Sequence, residues 1–153
     1  MIRIKINDVY GNLLIDSGST ISGISEAKAQ ELGVQILPLD QNETKFLIAA
    51  NRSRVEKIGR CSLNLKFNTR TVTFDFIVLR QLSTSVLVGL NFLEKFGVQQ
   101  NFGNGTLEIM GEEVPLIRSQ NFLGLARMGE DSAYLSWTRE KYLSNNEQKM
   151  LLE

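Results

Sequence analysis

Alternation with a period of two runs through most of the chain up to about Arg118. Ile2, Ile4 and Ile6 fall on one side of an extended segment, Arg3 and Lys5 on the other, as in a strand with one face in a core. Cys61, Leu63, Leu65 and Phe67 alternate with polar partners, and Val72, Phe74, Phe76 and Val78 repeat the pattern. Together these two runs predict a long hairpin turning at Asn68 to Arg70. Strands then follow in "GNGTLEIM", after its turn, and in "EEVPLI", as a terminal strand or extended arm.

Two stretches break the alternation in favour of short helices. "SEAKAQELGV", Ser25 to Val34, has a serine placed to cap its start and Gly33 to end it. "NFLEKFG", Asn91 to Gly97, again closes on glycine. Phe74, Phe76, Phe92 and Phe96 sit at strand or helix spacing and read as core. Beyond Arg118 the alternation is lost and polar residues increase. The chain therefore divides into a strand-rich domain over 1–118 and a tail or linker over 119–153, either partly helical or loosely ordered.

At 153 residues, with 42% apolar and 22% charged, the chain can bury one core. Seventeen basic residues balance seventeen acidic ones, so no global field attracts nucleic acid or an anionic membrane. Arg52, Arg54, Lys57 and Arg60 cluster locally, but with Glu56 among them they read as a solvated face. No apolar run is long enough to span a bilayer, and the first residues alternate where a secretion signal would be continuously apolar. An intracellular, cytoplasmic location is expected, with release from a larger polyprotein compatible with the sequence.

Histidine is absent and Cys61 is the only cysteine. Ser-His-Asp and Cys-His nucleophile pairs are thereby excluded, as are zinc sites built on His and Cys. No cofactor and no metal is expected. Chemistry here must run on carboxylates, hydroxyls, lysine or the backbone. Cys61 reads as a small apolar residue within a strand.

One carboxylate stands apart. In "LLIDSGST", Leu13 to Thr20, three apolar residues deliver Asp16 to the end of a strand, and Ser17, Gly18 and Ser19 turn the chain. Alone, Asp-Ser-Gly is a common turn tripeptide. A phosphorylation-dependent recognition motif fits poorly, since Ile21 stands where a second serine would be needed. About seventy residues later comes "VLVGLNFLEKFG", an apolar strand, Gly89 and a short helix. This pair, in this order and with an alternating hairpin between, resembles the retropepsin-like aspartic proteases of retroviruses and LTR retrotransposons over residues 1 to 117.

The resemblance implies an all-β, closed barrel-like retropepsin fold with one or two short helices and an active site at a two-fold dimer interface. It implies an aspartic endopeptidase acting on extended peptide or polyprotein substrates, with no nucleic acid and no membrane as partner. Metal-free hydrolysis of a peptide bond needs one group to activate water and another to protonate the leaving amine. Two carboxylates about 3 Å apart can share one proton and do both. Only one Asp-Ser-Gly unit is present, because "DSA" at Asp131 lacks both the glycine and the apolar strand. A homodimer with Asp16 from each subunit supplies the pair.

The family pattern gives the neighbouring residues their roles. Ser17 is expected to hydrogen-bond across the axis, Gly18 to bring its N–H to the carboxylate, and Ser19 to bond the outer carboxylate oxygen. Gly89 is expected behind the active-site loop, and Ser85 and Leu87 are expected along substrate subsites. The segment Lys45 to Arg60 is the expected flap, with Ala49, Ala50, Asn51 and Arg52 at its tip and Asn51 tolerating positive φ. Relatives carry a glycine-rich tip, and many viral members carry an acidic residue where Thr20 stands. The competing readings are a non-catalytic dimeric binding module of this fold and a glycosidase-like carboxylate hydrolase. Intact Asp16, Ser17, Gly18 and Ser19 speak against the first. The absence of a matching second acid and the single tryptophan, Trp137, speak against the second.

Overall fold

The computed structural model describes residues 1–49 and 51–117. The expected tail, 119–153, and Ala50 lie outside the described residues. The described residues divide into two units, Met1–Lys45 with Lys57–Ile117, and the hairpin Phe46–Glu56.

The first unit is built on strands β1 (Ile2–Ile6), β2 (Val9–Ile15), β3 (Gly23–Ser25), the body of β5 (Arg54–Phe67), β6 (Arg70–Leu79) and β7 (Val86–Val88). They run in the order β1-β2-β7-β3-β6-β5, and β1 pairs back onto β5 through Lys5–Lys66 and Ile6–Leu65. Six strands therefore close into a barrel, which leaves no free edge in that sheet. The alternating side chains point as the sequence predicts. Ile2, Ile4 and Ile6 are buried, as are Cys61, Leu63, Leu65 and Phe67, with Phe74, Phe76 and Val78 facing them. The β5–β6 hairpin turns at Asn68, which adopts φ 54°, and Phe67 pairs with Arg70.

Both helices form where glycine and serine signals place them. In α1 (Glu26–Leu32) the Ser25 hydroxyl accepts the Lys28 N–H at 3.1 Å, and Gly33 closes the helix at φ 70°. The helix α2 (Leu90–Lys95) starts immediately after Gly89. It lays Phe92 against Phe74 and Phe96, with ring centroids 5.0 and 4.7 Å away. Phe96 is only half-buried, but it packs on the core as expected.

Strands β8 (Gln99–Asn101), β9 (Thr106–Ile109) and β10 (Glu112–Pro115) form a separate three-stranded sheet. The β9–β10 turn uses Met110 and Gly111, both at positive φ, as a two-residue hairpin favours. The predicted terminal strand is therefore the outer member of this sheet, and Ile117 N–H reaches the Met1 carbonyl at 2.8 Å.

In the second unit, β4 (Phe46–Ile48) pairs antiparallel with Arg54–Glu56, the first residues of β5. This is the hairpin expected as the flap. Its tip closes by Arg52 N–H to the Ala49 carbonyl at 2.8 Å and Ala49 N–H to the Ser53 carbonyl at 2.9 Å. The left-handed residue is Arg52, at φ 68°, and not Asn51 as the sequence suggests. Asn51 serves the turn with its side chain instead, accepting the Ser53 N–H at 3.0 Å.

Candidate active site

The apolar run Leu13 to Ile15 ends β2 in the middle of the barrel sheet, beside β7. The two strands run parallel, with Leu14 opposite Leu87 and Ile15 opposite Val88. Asp16 is the next residue. Its N–H donates to the Val88 carbonyl at 2.9 Å, so the ladder extends to the aspartate itself and fixes where its side chain leaves the backbone. On its other side β7 pairs antiparallel with β3, Gly23 opposite Leu87 and Ile24 opposite Val86. The chain thus leaves along β2, turns through residues 16–22, and returns along β3 with β7 between the two passes.

The turn orients the carboxyl group. Gly18 N–H donates to Asp16 Oδ1 at 2.9 Å, which is the contact expected of that glycine. Ser19 N–H donates to the Asp16 carbonyl at 3.2 Å. The Ser19 hydroxyl donates to the Ile21 carbonyl at 2.8 Å, and it accepts the Ile21 N–H at 3.4 Å. In this arrangement the Ser19 hydroxyl shapes the loop. Asp16 is 5% exposed, one of two buried polar or charged residues among the described ones. Ser17 and Gly18 beside it are exposed.

Gly89 lies directly behind this loop. A Cβ there would sit 2.2 Å from the Ile21 carbonyl oxygen and 2.6 Å from that of Ser19, distances no side chain tolerates. Glycine is required by the close approach of two backbones, not by an unusual φ. Leu90 N–H then donates to the Ser19 carbonyl at 2.7 Å.

Ser22, the second buried polar residue, was not singled out by its sequence. Its hydroxyl accepts the Gly89 N–H at 3.0 Å and donates to Asn91 Oδ1 at 2.7 Å. Asn91 Oδ1 also takes the Phe92 N–H at 2.8 Å, so one amide joins the loop to the start of α2. The only signal in the sequence is a small polar residue inside the apolar stretch "ISGIS", which pattern reading assigns to a turn.

Of the remaining expected site residues, Ser85 is exposed, and its carbonyl accepts the Ser25 N–H at 2.9 Å. Leu87 is 7% exposed, held between Leu14 and Gly23. Ala49, Asn51 and Arg52 belong to the separate hairpin unit. Cys61 offers no nucleophile: burial, reinforced by the charge of Asp75, pushes its thiol up to about 11, so it stays protonated at neutral pH. Among the described residues, no three His, Cys, Asp or Glu side chains gather where a metal ion could bind, and no helix is long and apolar enough to cross a membrane.

The site therefore presents one buried, backbone-oriented carboxyl group on a rigid loop. Such a group can accept or give a proton. It cannot alone do both on opposite sides of a scissile bond.

Comparison with known proteins shows what the chain is similar to. Residues 2–95 match a family model described as "gag-polyprotein putative aspartyl protease". Among solved structures, the retroviral protease-like domain of Ddi1 from Leishmania major aligns with a TM-score of 0.63 at 20% identity, covering 78% of this chain and 94% of that one. EIAV protease complexed with the inhibitor HBY-793 aligns with a TM-score of 0.49 at 20% identity, covering 65% and 89%. A retropepsin-like aspartic protease from Rickettsia conorii gives 0.44 at 19%, covering 65% and 74%. The first of these likenesses establishes a shared fold. A search of curated proteins gives no match.

Proposed function

The chain belongs to the gag-polyprotein aspartyl protease family, and from that premise we propose that it is an aspartic endopeptidase whose site is completed by a second copy of itself. The observation that carries the proposal is the fixed, buried carboxyl group of Asp16, oriented by Gly18 N–H at 2.9 Å and anchored to Val88. Such a group supplies one half of the shared-proton pair the proposal requires. A two-fold axis beside the loop supplies the other half without any further residue.

In the proposed reaction, one Asp16 is ionised and takes a proton from a water between the two carboxyl groups. The other is protonated and gives its proton toward the substrate as the water oxygen adds to the carbonyl carbon. Collapse of the tetrahedral species breaks the C–N bond, and the departing nitrogen leaves with a proton from the pair. Gly18 keeps the carboxyl groups in place, and the exposed Ser17 bonds across the axis to hold the two loops together. Gly89 gives those loops a rigid floor.

Ser85, just before β7, and Leu87, within it, line or back a substrate subsite. The hairpin Phe46–Glu56 serves as the flap that excludes water, with Ala49, Ala50, Asn51 and Arg52 at its tip. The substrate is an extended polypeptide. By analogy with the family's name, a polyprotein that includes this chain is the natural candidate. The test is hydrolysis of extended peptides by the parent and by Asp16→Asn, which is nearly isosteric. Cleavage by the parent and none by the variant supports the proposal, while equal cleavage by both would remove Asp16 from the mechanism.

A further inference from the structure

A group of charges in the first unit lies where the chain leaves it for the hairpin, at Lys45, and where it returns, at Lys57. The Glu43 carboxylate pairs with Arg60 and also lies 3.8 Å from Lys57 Nζ. Both Glu43 and Lys57 are largely buried, with side chains 15% and 10% exposed. The basic cluster read as a solvated face is thus split, with Lys57 and Arg60 turned onto an acid that lies 14 and 17 positions earlier in the sequence.

The backbone closes around the same point. Leu37 and Arg60 exchange two hydrogen bonds, at 2.7 and 2.9 Å, and Lys57 N–H donates to the Lys45 carbonyl at 2.8 Å. Glu43 Oε1 accepts the Asp40 N–H at 3.3 Å, and Glu43 N–H donates to the Asp40 carbonyl at 3.1 Å, so the acid sits on a fixed turn. Gly59 lets the Leu37 carbonyl approach to 2.2 Å from where a Cβ would stand, and the β5–β6 register slips between Lys57 and Gly59. Segment 37–45 is therefore stitched to residues 57–60 at both ends, with the Glu43 carboxylate reaching both Lys57 and Arg60.

Removing this anion leaves the largely buried Lys57 ammonium without its acid, which is costly, whereas Arg60, with its side chain 37% exposed, keeps water.

From this we propose that Glu43 is a positioning residue. Its bridge to Lys57 and Arg60 holds together the two segments of the first unit that lead into and out of residues 46–56 (the neck), and so influences substrate binding, while the acid never touches substrate. The kinetic part of this inference rests on the peptidase reading; the structural part does not.

The experiment compares the full chain, Glu43→Gln, Glu43→Asp and Asp16→Asn by residue-resolved amide hydrogen exchange and by peptide hydrolysis. Glu43→Gln should speed exchange of the Lys57 and Arg60 amides by about tenfold, with Leu65 and Phe76 in the barrel unchanged. KM should rise by a similar factor with kcat within about twofold of the parent. Glu43→Asp should restore part of both, and Asp16→Asn should leave the exchange at the neck unaltered. Unchanged exchange at Lys57 and Arg60 in Glu43→Gln would overturn the bridge. A uniform rise through the barrel would overturn it too, by making Glu43 a general stability residue. Faster neck exchange with unaltered KM would overturn the positioning role alone. A parent that cleaves no peptide, with the neck responding as expected, would instead count against the peptidase reading.

Discussion

Ser22 and Gly89, 67 positions apart, are joined by a buried hydrogen bond of 3.0 Å from the glycine N–H to the serine hydroxyl. The bond ties the far end of the Asp16 turn to the start of α2, and Asn91 completes it by accepting the serine proton at 2.7 Å. The aspartate is thus held from both sides. Val88 takes its N–H, and Ser22 fixes the chain six residues on.

Ser22→Ala removes the acceptor for a buried N–H and leaves Asn91 one donor short. Unpaired buried groups of this kind cost about 1–3 kcal/mol. Chemical denaturation should show a loss in that range. If the site is as proposed, peptide hydrolysis should fall more than the stability loss alone explains.

Gly89→Ala would place a methyl group 2.2 Å from the Ile21 carbonyl oxygen and 2.6 Å from that of Ser19. Both obstacles are backbone, so no rotamer change relieves them. A loss of about 3 kcal/mol or more is expected in thermal or denaturant unfolding. A neutral result would mean that the loop and β7 are not packed as described.

Arg52 occupies the left-handed region at φ 68° in the hairpin tip, a conformation that costs a side-chain-bearing residue about 1–2 kcal/mol. Arg52→Gly relieves the strain, and glycine's greater freedom in the unfolded chain takes back part of the gain. The net effect should be a stabilisation of up to about 1 kcal/mol, confined to the hairpin. It is read as slower exchange of the Ala49 and Arg52 amides.

Cys61 gives a pH dependence of definite sign. Its thiol stands at about 11 in the folded protein against 9.0 as the ordinary value, burial being the first cause and Asp75 the second. The folded state therefore keeps its proton where the unfolded state has lost it, and this contribution to stability falls as pH rises from 9 toward 11. Cys61→Val should lose less stability than the parent across that window. The folded parent should also resist thiol alkylation at pH 8, below the ordinary value of 9.0.

Much of the barrel was legible because its strands have one face in the core, so period-two alternation marks β1, β5 and β6 directly. Ser25 and Gly33 marked α1 by their capping chemistry. The pairing of β7 with β2 on one side and β3 on the other was not legible. Three apolar residues in a row carry no periodicity, and partners about seventy positions away leave no local trace. For the same reason Ser22 escaped notice, since only tertiary pairing turns a turn-like serine into a buried acceptor. The Ile21 carbonyl as acceptor of the Ser19 proton is not legible either, because sequence gives the distance of Ser19 along the chain from Asp16 but not the direction of its hydroxyl. At the hairpin tip, composition pointed to Asn51 as the left-handed residue, yet the closing bond from Arg52 N–H to Ala49 put the positive φ one position later.

The central claim, that two copies of Asp16 make one site, is tested most directly by mixing. A fixed amount of parent is allowed to exchange subunits with an equal amount of Asp16→Asn, at concentrations where both are dimeric, and peptide hydrolysis is measured. Random pairing leaves about half of the parent chains in parent–parent dimers, so the rate should fall to about half of that of the parent alone. A rate untouched by the added variant would mean that each chain works by itself, and the shared site would have to be abandoned.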